Sequence, residues 1–316
     1  MGKILAVCIS EKKGTLKKEV GEARLIENFG LEGDAHGGTW HRQVSLLSAE
    51  KIEEFRKKVP VEYGAFGENL VAEGFDFGTL PVGSRFAVGE AVLEMTQVGK
   101  ECHSDCNIKQ QTGECIMPRE GVFARVLKGG RVRKGEKLTL LPFPEDLPLR
   151  ATVITLSDKG SRGEREDKSG PLAAKLLEEA GFRVEERLLL PDGISPLKGE
   201  LIRLADRRQM DLILTTGGTG FSPTDVTPEA TLAAADRNAP GIAEAMRAYS
   251  LLITPRAMLS RGVSVLRKGT LIVNLPGSPK AVEESLTYIL PVLEHGIRLA
   301  KGRAGECART DRQGGK

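Results

Sequence analysis

The spacing of apolar residues changes near the middle of the chain. Up to residue 141, short runs that alternate apolar and polar positions predict β-strands, and glycine-rich turns separate them. The predicted strands cover residues 4–9, 43–47, 85–88, 91–98 and 137–141. One helix is predicted over residues 48–58, with Ser48 as its N-cap. This pattern indicates a small, mostly β, barrel-like domain at residues 1–141.

From residue 151 onward, apolar strands alternate with helical segments. The predicted strands cover residues 152–156, 183–190, 212–215, 263–266 and 271–275, and the predicted helices cover residues 169–180, 195–208, 228–236, 240–251 and 278–300. Strands that alternate with helices are typical of a mostly parallel sheet with helices on both faces. We therefore predict a second domain, at residues 151–301, with a three-layer α/β fold.

A proline-rich segment separates the two patterns. Residues 141–148 contain three prolines, which remove backbone donors and fix φ, so residues 142–150 are predicted to form an extended linker. Near its end the chain is rich in glycine, arginine and polar residues, and residues 302–316 are predicted to be a disordered tail.

The composition excludes several classes of function. The formal net charge of +3 is too small for a typical nucleic-acid-binding protein. No apolar run is long enough for a transmembrane helix, and the N-terminus lacks the apolar segment of a signal peptide. We therefore expect a cytoplasmic protein without nucleic-acid or membrane partners. The five cysteines, an odd number without an export signal, argue against a disulfide framework.

Residues 212–227 are the segment most informative about chemistry. A buried strand runs into the sequence TTGGTG at residues 215–220, and Asp225 follows just before a helix. Backbone N–H groups after such a strand can bind a phosphate, and a nearby carboxylate can hold magnesium against it. The candidate phosphate-binding residues are Gly217, Gly218, Thr219 and Gly220. An ordinary strand-to-helix turn, in which glycine supplies unusual backbone angles, is the alternative interpretation.

Polar residues also follow the other predicted strands. They are Ser157 and Asp158, then Asp192, and then Asn274, Pro276, Gly277 and Ser278. The carboxyl ends of parallel strands lie at one edge of a sheet, so we expect these segments to converge there. Asp192 and Asp225 are candidates to share one divalent metal, although each alone also suits a turn cap. The chain has neither a P-loop nor a G-x-G-x-x-G motif, so a phosphate site must be of another kind.

Residues 151–301 resemble the Mog/MoaB-type molybdopterin-binding proteins. The resemblance is carried, in order, by Ser157-Asp158, Asp167-Lys168-Ser169-Gly170-Pro171, Pro191-Asp192, TTGGTG at 215–220, Asp225-Val226-Thr227-Pro228-Glu229-Ala230, Ala257-Met258-Leu259-Ser260-Arg261 and Asn274-Leu275-Pro276-Gly277-Ser278-Pro279. It implies a molybdopterin adenylyltransferase, in which the terminal phosphate of molybdopterin attacks the α-phosphate of Mg-ATP and pyrophosphate is released.

The resemblance also implies roles for individual residues. The two functionally important aspartates of the family fall on Asp192 and Asp225, which would position magnesium and the nucleotide phosphates. The glycine-rich loop and the turn at residues 276–278 would hold phosphates. Ligand contacts are implied for Ser157, Asp158, Ser260 and Asn274, with turn or cap roles as the alternative. A homotrimer is implied as the assembly.

Residues 1–141 resemble a second family, the MOSC domain, which is related to the C-terminal domain of molybdenum cofactor sulfurases. The matching segments are Gly33-Asp34-Ala35-His36, Arg42-Gln43-Val44-Ser45-Leu46-Leu47, Phe66-Gly67-Glu68-Asn69-Leu70, Leu80-Pro81-Val82-Gly83, Gly89 and Cys102. The hallmark cysteine of the family falls on Cys102, which implies that it carries or transfers sulfur or engages the molybdenum cofactor.

The cysteine segment departs from the family pattern. Glu101 stands where the family often has proline, and Cys106 and Cys115 are additional. The three cysteines leave open a zinc or iron–sulfur site, although the spacing is looser than that of a zinc knuckle. Buried, unreactive thiols are the alternative for Cys106 and Cys115. No lysine motif indicates pyridoxal phosphate.

Together, the two resemblances predict a fusion enzyme of molybdenum cofactor biosynthesis. Its expected substrates are molybdopterin and ATP, its expected metal is Mg²⁺, and its expected partners are other proteins of that biosynthesis. The competing hypothesis is a non-catalytic protein that binds and delivers molybdopterin or the molybdenum cofactor. The presence of both Asp192 and Asp225 favours the enzyme.

Overall fold

The computed structural model describes residues 1–101, 113–144 and 147–302. The chain divides into two compact units, Met1–Leu147 and Pro148–Lys316. The predicted tail lies outside the described residues, apart from residue 302.

The first unit consists mainly of strands. Its strands are β1 (Gly2–Ile9), β2 (Lys18–Glu19), β3 (Glu22–Ile26), β4 (Gly30–Leu31), β5 (Val44–Ser48), β6 (Leu70–Glu73), β7 (Arg85–Val88), β8 (Ala91–Val98), β9 (Val122–Lys128), β10 (Gly130–Arg133) and β11 (Lys137–Leu140). Its helices are α1 (Ala49–Arg56) and α2 (Met117–Glu120), with a 3₁₀ turn at Phe77–Thr79. All five predicted strands are present, and the predicted helix is α1.

Seven of the described strands close into a barrel. They follow the order β11-β7-β8-β9-β5-β6-β1, and β1 pairs again with β11, for example through Gly2 and Leu138. Closure leaves no open sheet edge in the ring. Neighbouring residues on a strand point to opposite faces. Thus Leu46 belongs to the cluster that fills the barrel, whereas Leu47 packs with Ile52 of α1. The predicted barrel-like domain is confirmed.

The second unit alternates strands and helices. Its strands are β12 (Arg150–Leu156), β13 (Arg183–Leu190), β14 (Leu212–Thr216), β15 (Arg237–Asn238), β16 (Ser264–Arg267) and β17 (Thr270–Leu275). Its helices are α3 (Asp158–Ser161), α4 (Ser169–Glu179), α5 (Ile194–Ile202), α6 (Thr227–Ala234), α7 (Pro240–Leu251) and α8 (Pro279–Ala300), with a π-helical turn at Arg203–Arg207 and a 3₁₀ turn at Pro255–Leu259. The helix predicted over residues 195–208 is therefore divided: α5 ends at Ile202, and the π-helical turn follows it.

The six strands form one mixed sheet in the order β13-β12-β14-β17-β16-β15. The first four pair in parallel, and β16 and β15 pair antiparallel. One apolar cluster joins the sheet to α4, α7 and α8, and another joins it to α5 and α6, so helices cover both faces. No helix of the described part of the chain is long and apolar enough to cross a membrane.

The register of the parallel strands aligns their carboxyl ends. Thr155 pairs with Thr216, Leu156 pairs with Leu190, and Thr216 pairs with Leu275. The loops that follow these four strands therefore begin next to one another, at one edge of the sheet. Ligands in open α/β sheets bind at this edge.

Candidate functional site

A cavity of about 890 Å³ lies at the carboxyl edge of the parallel strands. It is lined by Thr155, Leu156, Ser157, Asp158, Lys159, Gly160, Arg165, Glu166, Asp167, Lys168, Ser169, Asp192, Thr216, Gly217, Gly218, Thr224, Asp225, Gly277, Ser278 and Pro279. Its volume suits a small-molecule ligand. Its walls carry several acidic and basic side chains, which indicates a charged ligand.

Hydrogen bonds between the loops hold the walls of the cavity together. Thr216 Oγ1 donates to the carbonyl of Pro276 at 2.7 Å, and Ser169 Oγ donates to the carbonyl of Gly277 at 2.8 Å. Thr227 Oγ1, at the start of α6, donates to the carbonyl of Gly217 at 2.9 Å. The site is therefore fixed by bonds among loops that are far apart in sequence.

The glycine-rich loop requires glycine at two positions. Gly217 has φ +98° and Gly218 has φ +64°, a region that side chains rarely allow. A Cβ on Gly217 would lie 2.4 Å from the carbonyl oxygen of Leu156, and one on Gly218 would lie 2.4 Å from Thr227 Oγ1. The loop thus packs closely against the strand edge, and it leaves backbone rather than side chains facing the cavity.

Two long helices begin at the cavity. At the start of α4, Asp167 Oδ1 accepts hydrogen bonds from the backbone N–H groups of Ser169 and Gly170, at 3.1 and 3.0 Å. At the start of α8, Ser278 Oγ accepts from the N–H of Ala281 at 3.3 Å. Helix N-termini carry partial positive charge and favour anions. These two helices make this wall of the cavity suitable for phosphate.

Besides Asp167, three aspartates line the cavity: Asp158, Asp192 and Asp225. Asp158 and Asp192 are joined reciprocally, because the N–H of each donates to a carboxylate oxygen of the other at 3.1 Å. Burial raises the pKa of Asp192 above its usual value. The negative charges of Asp158 and Asp225 add to this rise, while the N–H of Asp158 and the charge of Arg165 oppose it. Asp225 lies on the wall of the same cavity as this hydrogen-bonded pair.

The donor set fits a magnesium ion. Asp192 uses Oδ2 to accept from Asp158, and Asp225 uses Oδ2 to accept from the N–H of Ser222 at 2.9 Å. Within the described residues, the Oδ1 atom of each accepts no hydrogen bond. A Cβ on Gly218 would lie 3.4 Å from Asp192 Oδ1, so the absence of a side chain keeps that oxygen accessible.

The number of carboxylates also suits magnesium. Across the described ranges, no group of three or more His, Cys, Asp or Glu side chains is arranged to hold a metal. Mg²⁺ is usually bound by one or two carboxylates, with water and substrate phosphates as the other ligands. A pair of aspartates beside a phosphate-binding wall is compatible with that pattern.

The structure brings together eight of the predicted site residues. Those that line the cavity are Ser157, Asp158, Asp192, Gly217, Gly218, Asp225, Gly277 and Ser278. Five other predicted residues do not line it: Thr219, Gly220, Ser260, Asn274 and Pro276.

Asn274 is the clearest correction among these five. Its side-chain N–H₂ donates to Thr215 Oγ1 and Thr231 Oγ1, both at 2.9 Å, and its Oδ1 accepts from the N–H of Val263 at 3.2 Å. The residue is buried in β17. Its amide is fully used inside the protein, so it joins the sheet to α6 rather than facing a ligand.

The other four residues make contacts within the protein. The carbonyls of Thr219 and Gly220 accept from Arg261, at 2.9 Å from its N–H and 2.7 Å from its Nε. The carbonyl of Pro276 accepts from Thr216. Ser260 Oγ accepts from the N–H of Gly262 at 3.4 Å. These four residues shape the loops behind the cavity.

Several residues that line the cavity were absent from the predicted set. They include Lys159, Arg165, Asp167, Lys168, Ser169 and Thr216. Asp167, Lys168 and Ser169 lie within a motif already recognised in the sequence, so the motif was the available signal. Arg165 lies between motifs, and no pattern in the sequence identifies it.

The proposed cysteine site falls mostly outside the described residues, which do not include Cys102 and Cys106. Cys115 is half-buried and packs against the apolar cluster of the first unit that contains Phe66 and Met117. A metal site formed by the three thiols therefore remains a hypothesis.

One residue of the MOSC-like motifs, Asp34, forms a buried ion pair. Lys17 Nζ bonds to Asp34, and both side chains are buried. Asp34 also accepts from the N–H groups of Ser10 and His36, at 3.0 and 2.9 Å. Burial opposes ionisation of Asp34, but hydrogen bonds from His36 and Lys17 hold its pKa well below the usual range. This carboxylate is committed to the fold.

Glu68 is a second buried acid in the first unit. Its carboxylate accepts from the N–H of Gly64 at 2.7 Å and from the N–H of Phe66 at 3.0 Å. The residue is completely buried, and burial raises its pKa from 4.5 to about 7. It closes the turn before β6.

Comparisons with known proteins agree with these observations. A family model described as "Probable molybdopterin binding domain" matches residues 152–295, and the MOSC domain model matches residues 32–139. The molybdopterin adenylyltransferase of Escherichia coli (strain K12) is 44% identical over 156 residues, covering 47% of this chain and 80% of that protein. Through its second domain, the chain belongs to the molybdopterin adenylyltransferase family.

Other members of the molybdopterin adenylyltransferase family match the same region. The enzyme of Haemophilus influenzae is 46% identical over 157 residues, covering 49% of this chain and 78% of its own length. Among solved structures, the molybdopterin biosynthesis enzyme MoaB of Thermus thermophilus is 49% identical, with a TM-score of 0.47, and covers 49% of this chain and 97% of that chain. The two family models together show that the chain joins a MOSC domain to a Mog/MoaB domain.

Proposed function

We propose that the protein transfers the adenylyl group of Mg-ATP to the terminal phosphate of molybdopterin and releases pyrophosphate. The observation that carries this proposal is that Asp192 and Asp225 line one cavity with the glycine-rich loop and the N-termini of two helices. That arrangement combines a cation site with an anion site. The family relationship supplies the identity of the substrates.

The chain's own contribution is to bind and orient the two phosphate-bearing substrates. The backbone of Gly217 and Gly218, and the turn at Gly277 and Ser278, bind phosphate oxygens. Because the cavity walls are bonded to each other, the substrates are held in a fixed relation. Phosphoryl-type transfer depends chiefly on such positioning and on charge neutralisation.

Asp192 and Asp225 would hold magnesium, since each keeps one carboxylate oxygen that accepts no hydrogen bond from the described residues. When bound, magnesium neutralises the negative charge of the nucleotide phosphates. The reciprocal bonds between Asp158 and Asp192 fix the orientation of the Asp192 carboxylate. Asp158 is therefore a positioning residue in this proposal. Ser157 is one as well, because its Oγ accepts hydrogen bonds from Arg165 and from the N–H of Gly160.

Release of pyrophosphate by the full-length chain tests this function. The protein, supplied with Mg-ATP and molybdopterin, is expected to release one pyrophosphate for each adenylylated molybdopterin. Omission of molybdopterin is the control, since no acceptor is then present. Binding of molybdopterin without any pyrophosphate release would contradict the enzyme and favour the delivery protein.

The MOSC domain is proposed to bind or sulfur-modify the molybdenum cofactor, with Cys102 as the residue that carries sulfur. The family match of residues 32–139 supports the domain assignment. Covalent linkage of the two domains raises the effective concentration of a shared intermediate. Cys102→Ser is expected to abolish sulfur transfer while pyrophosphate release continues, and unchanged transfer would remove this role.

A homotrimer is proposed as the assembly, together with contacts to other proteins of the same biosynthesis in the cytoplasm. The last residue of α7 and the segment after it expose large apolar side chains: Leu251, Leu252, Ile253, Met258 and Leu259. Contiguous exposed apolar surface supports a protein interface. Light scattering of the wild type and of a Leu252→Glu, Met258→Glu variant tests it, and a monomeric wild type would contradict the trimer.

A further inference from the structure

Arg165 is a cavity residue that belongs to none of the recognised motifs. It lies in the loop between α3 and α4, two residues before Asp167, and it lines the same cavity as Asp192 and Asp225. The loop therefore adds a guanidinium to a cavity that is also lined by Lys159 and Lys168.

The guanidinium of Arg165 is anchored on one side. Its Nη2 donates to Ser157 Oγ at 3.0 Å. The same Oγ accepts from the N–H of Gly160, also at 3.0 Å, and Ser157 is buried at the end of β12. The anchor is thus part of the rigid strand end, which restricts where the guanidinium can lie.

Arg165 forms no ion pair with a carboxylate of the described residues. In the same loop, Arg162 pairs with Glu164 at 2.8 Å and Lys168 pairs with Glu166 at 3.8 Å. Arg165, by contrast, forms no ion pair within the described residues, although several acids line the cavity. Four of its five N–H groups have no hydrogen bond to the described protein.

We propose that Arg165 binds a phosphoryl group of a substrate in this cavity, through the N–H groups that Ser157 leaves available. A planar guanidinium matches two phosphate oxygens at once, and an anchored one loses little freedom on binding. The helix N-termini of α4 and α8 favour the same ligand. This inference rests on the proposed adenylyl transfer, whose substrates both carry phosphate.

The test compares arginine variants within one loop of the full-length protein. Arg165→Lys keeps the positive charge but loses the planar guanidinium that can bind two oxygens at once. Arg165→Ala removes both. Arg162→Lys and Arg162→Ala are the matched controls, because Arg162 is exposed and does not line the cavity. Calorimetry measures the Kd for Mg-ATP and for molybdopterin, and the pyrophosphate assay measures KM for each substrate and kcat.

Arg165→Ala is expected to raise Kd and KM by about tenfold to a hundredfold for the substrate whose phosphate it binds, because charge-assisted hydrogen bonds are lost. Arg165→Lys is expected to lie between that variant and the wild type. The substrate affected identifies the phosphate: nucleotide or pterin. The Arg162 variants should match the wild type. Added methylguanidine should partly restore Arg165→Ala, which a purely structural role would not permit.

Unchanged affinity for both substrates in Arg165→Ala would overturn the inference, even if the wild type turns over normally. If the wild type releases no pyrophosphate, the proposed adenylyl transfer is contradicted instead. The Kd values from calorimetry would still decide whether Arg165 binds phosphate. Equal melting temperatures for the Arg165 and Arg162 variants exclude unfolding as the cause.

Discussion

In the first domain, Asp34 and Glu68 are buried and their oxygens accept hydrogen bonds from the protein itself, whereas in the second domain Asp192 and Asp225 line a cavity and each keeps one oxygen available. All four residues lie in segments that resemble family motifs. The difference separates acids whose oxygens are all hydrogen-bonded within the fold from acids that keep an oxygen open to a cavity. Burial and hydrogen-bond partners, rather than motif membership, decide between these roles.

Removal of the buried negative charge in the first domain is expected to have the largest effect. Asp34→Asn leaves the buried charge of Lys17 without its partner, so the free energy of unfolding should fall by about 3–5 kcal/mol. Trp40 is the single tryptophan and lies in the first domain, so its fluorescence in urea reports on that domain.

A double variant sharpens this result. Lys17→Met with Asp34→Asn removes both charges and should recover much of the lost stability. A loss below about 1 kcal/mol in Asp34→Asn alone would mean that the pair is not buried as described.

The second acid of the barrel predicts a pH dependence of stability. The pKa of Glu68 rises from 4.5 in the unfolded chain to about 7 in the folded domain, so folding favours its protonated form. The contribution of this group to the free energy of unfolding is complete below about pH 4.5 and is lost as the pH rises through about 7. The expected loss is roughly 3 kcal/mol.

Urea unfolding followed by Trp40 fluorescence between pH 4.5 and 8 measures the effect. The difference between the wild type and Glu68→Gln isolates the titration of this one group. If both proteins show the same pH dependence, Glu68 does not titrate in this range.

In the second domain, the same type of substitution should affect turnover instead of folding. Asp225→Asn keeps the shape of the side chain and removes the charge, so kcat for pyrophosphate release should fall by about a hundredfold or more, with molybdopterin binding largely retained. Unfolding by circular dichroism should remain close to the wild type. Normal turnover in this variant would show that Asp225 is not part of the metal site. The contrast between the buried acids of the first domain and the cavity acids of the second would then not hold.

An exposed acid near the cavity should have the smallest effect. Glu229 pairs with Arg261 at the surface and does not line the cavity. Glu229→Gln should change the free energy of unfolding by less than about 0.5 kcal/mol, because exposed ion pairs contribute little and Arg261 still bonds to Gly220 and Asp225. A larger loss, measured by thermal unfolding, would show that this pair helps to hold the loop of Asp225.

The sequence predicted the parts of the site that depend on local order. Gly217, Gly218 and Asp192 come within two residues of a strand end, and Asp225 lies in the loop that follows β14. The carboxyl ends of parallel strands lie together, so these loops meet. Asn274 was misassigned because β17 is buried on both faces, so position along the strand does not say which way a polar side chain points. Arg165 was missed because its position depends on a contact with Ser157 that no local pattern encodes.

The fold of the first domain was predicted less completely. Strands β6 and β9 were not identified, and both are held by partners far away in sequence: β6 by β1 and β5, and β9 by β5 and β8. The minor strands β2, β3, β4 and β10 also escaped prediction. Alternation along a short segment does not reveal pairings of this range.

The closure of the barrel has a consequence for the order in which the chain folds. Strand β1 pairs with β11, so Lys3 meets Lys137 only after nearly the whole domain has been synthesised. Until then β1 lacks one neighbour, and contacts between such distant residues form slowly. During synthesis, the first strand of this domain must therefore wait for the last, and one of its edges stays unpaired until the ring closes.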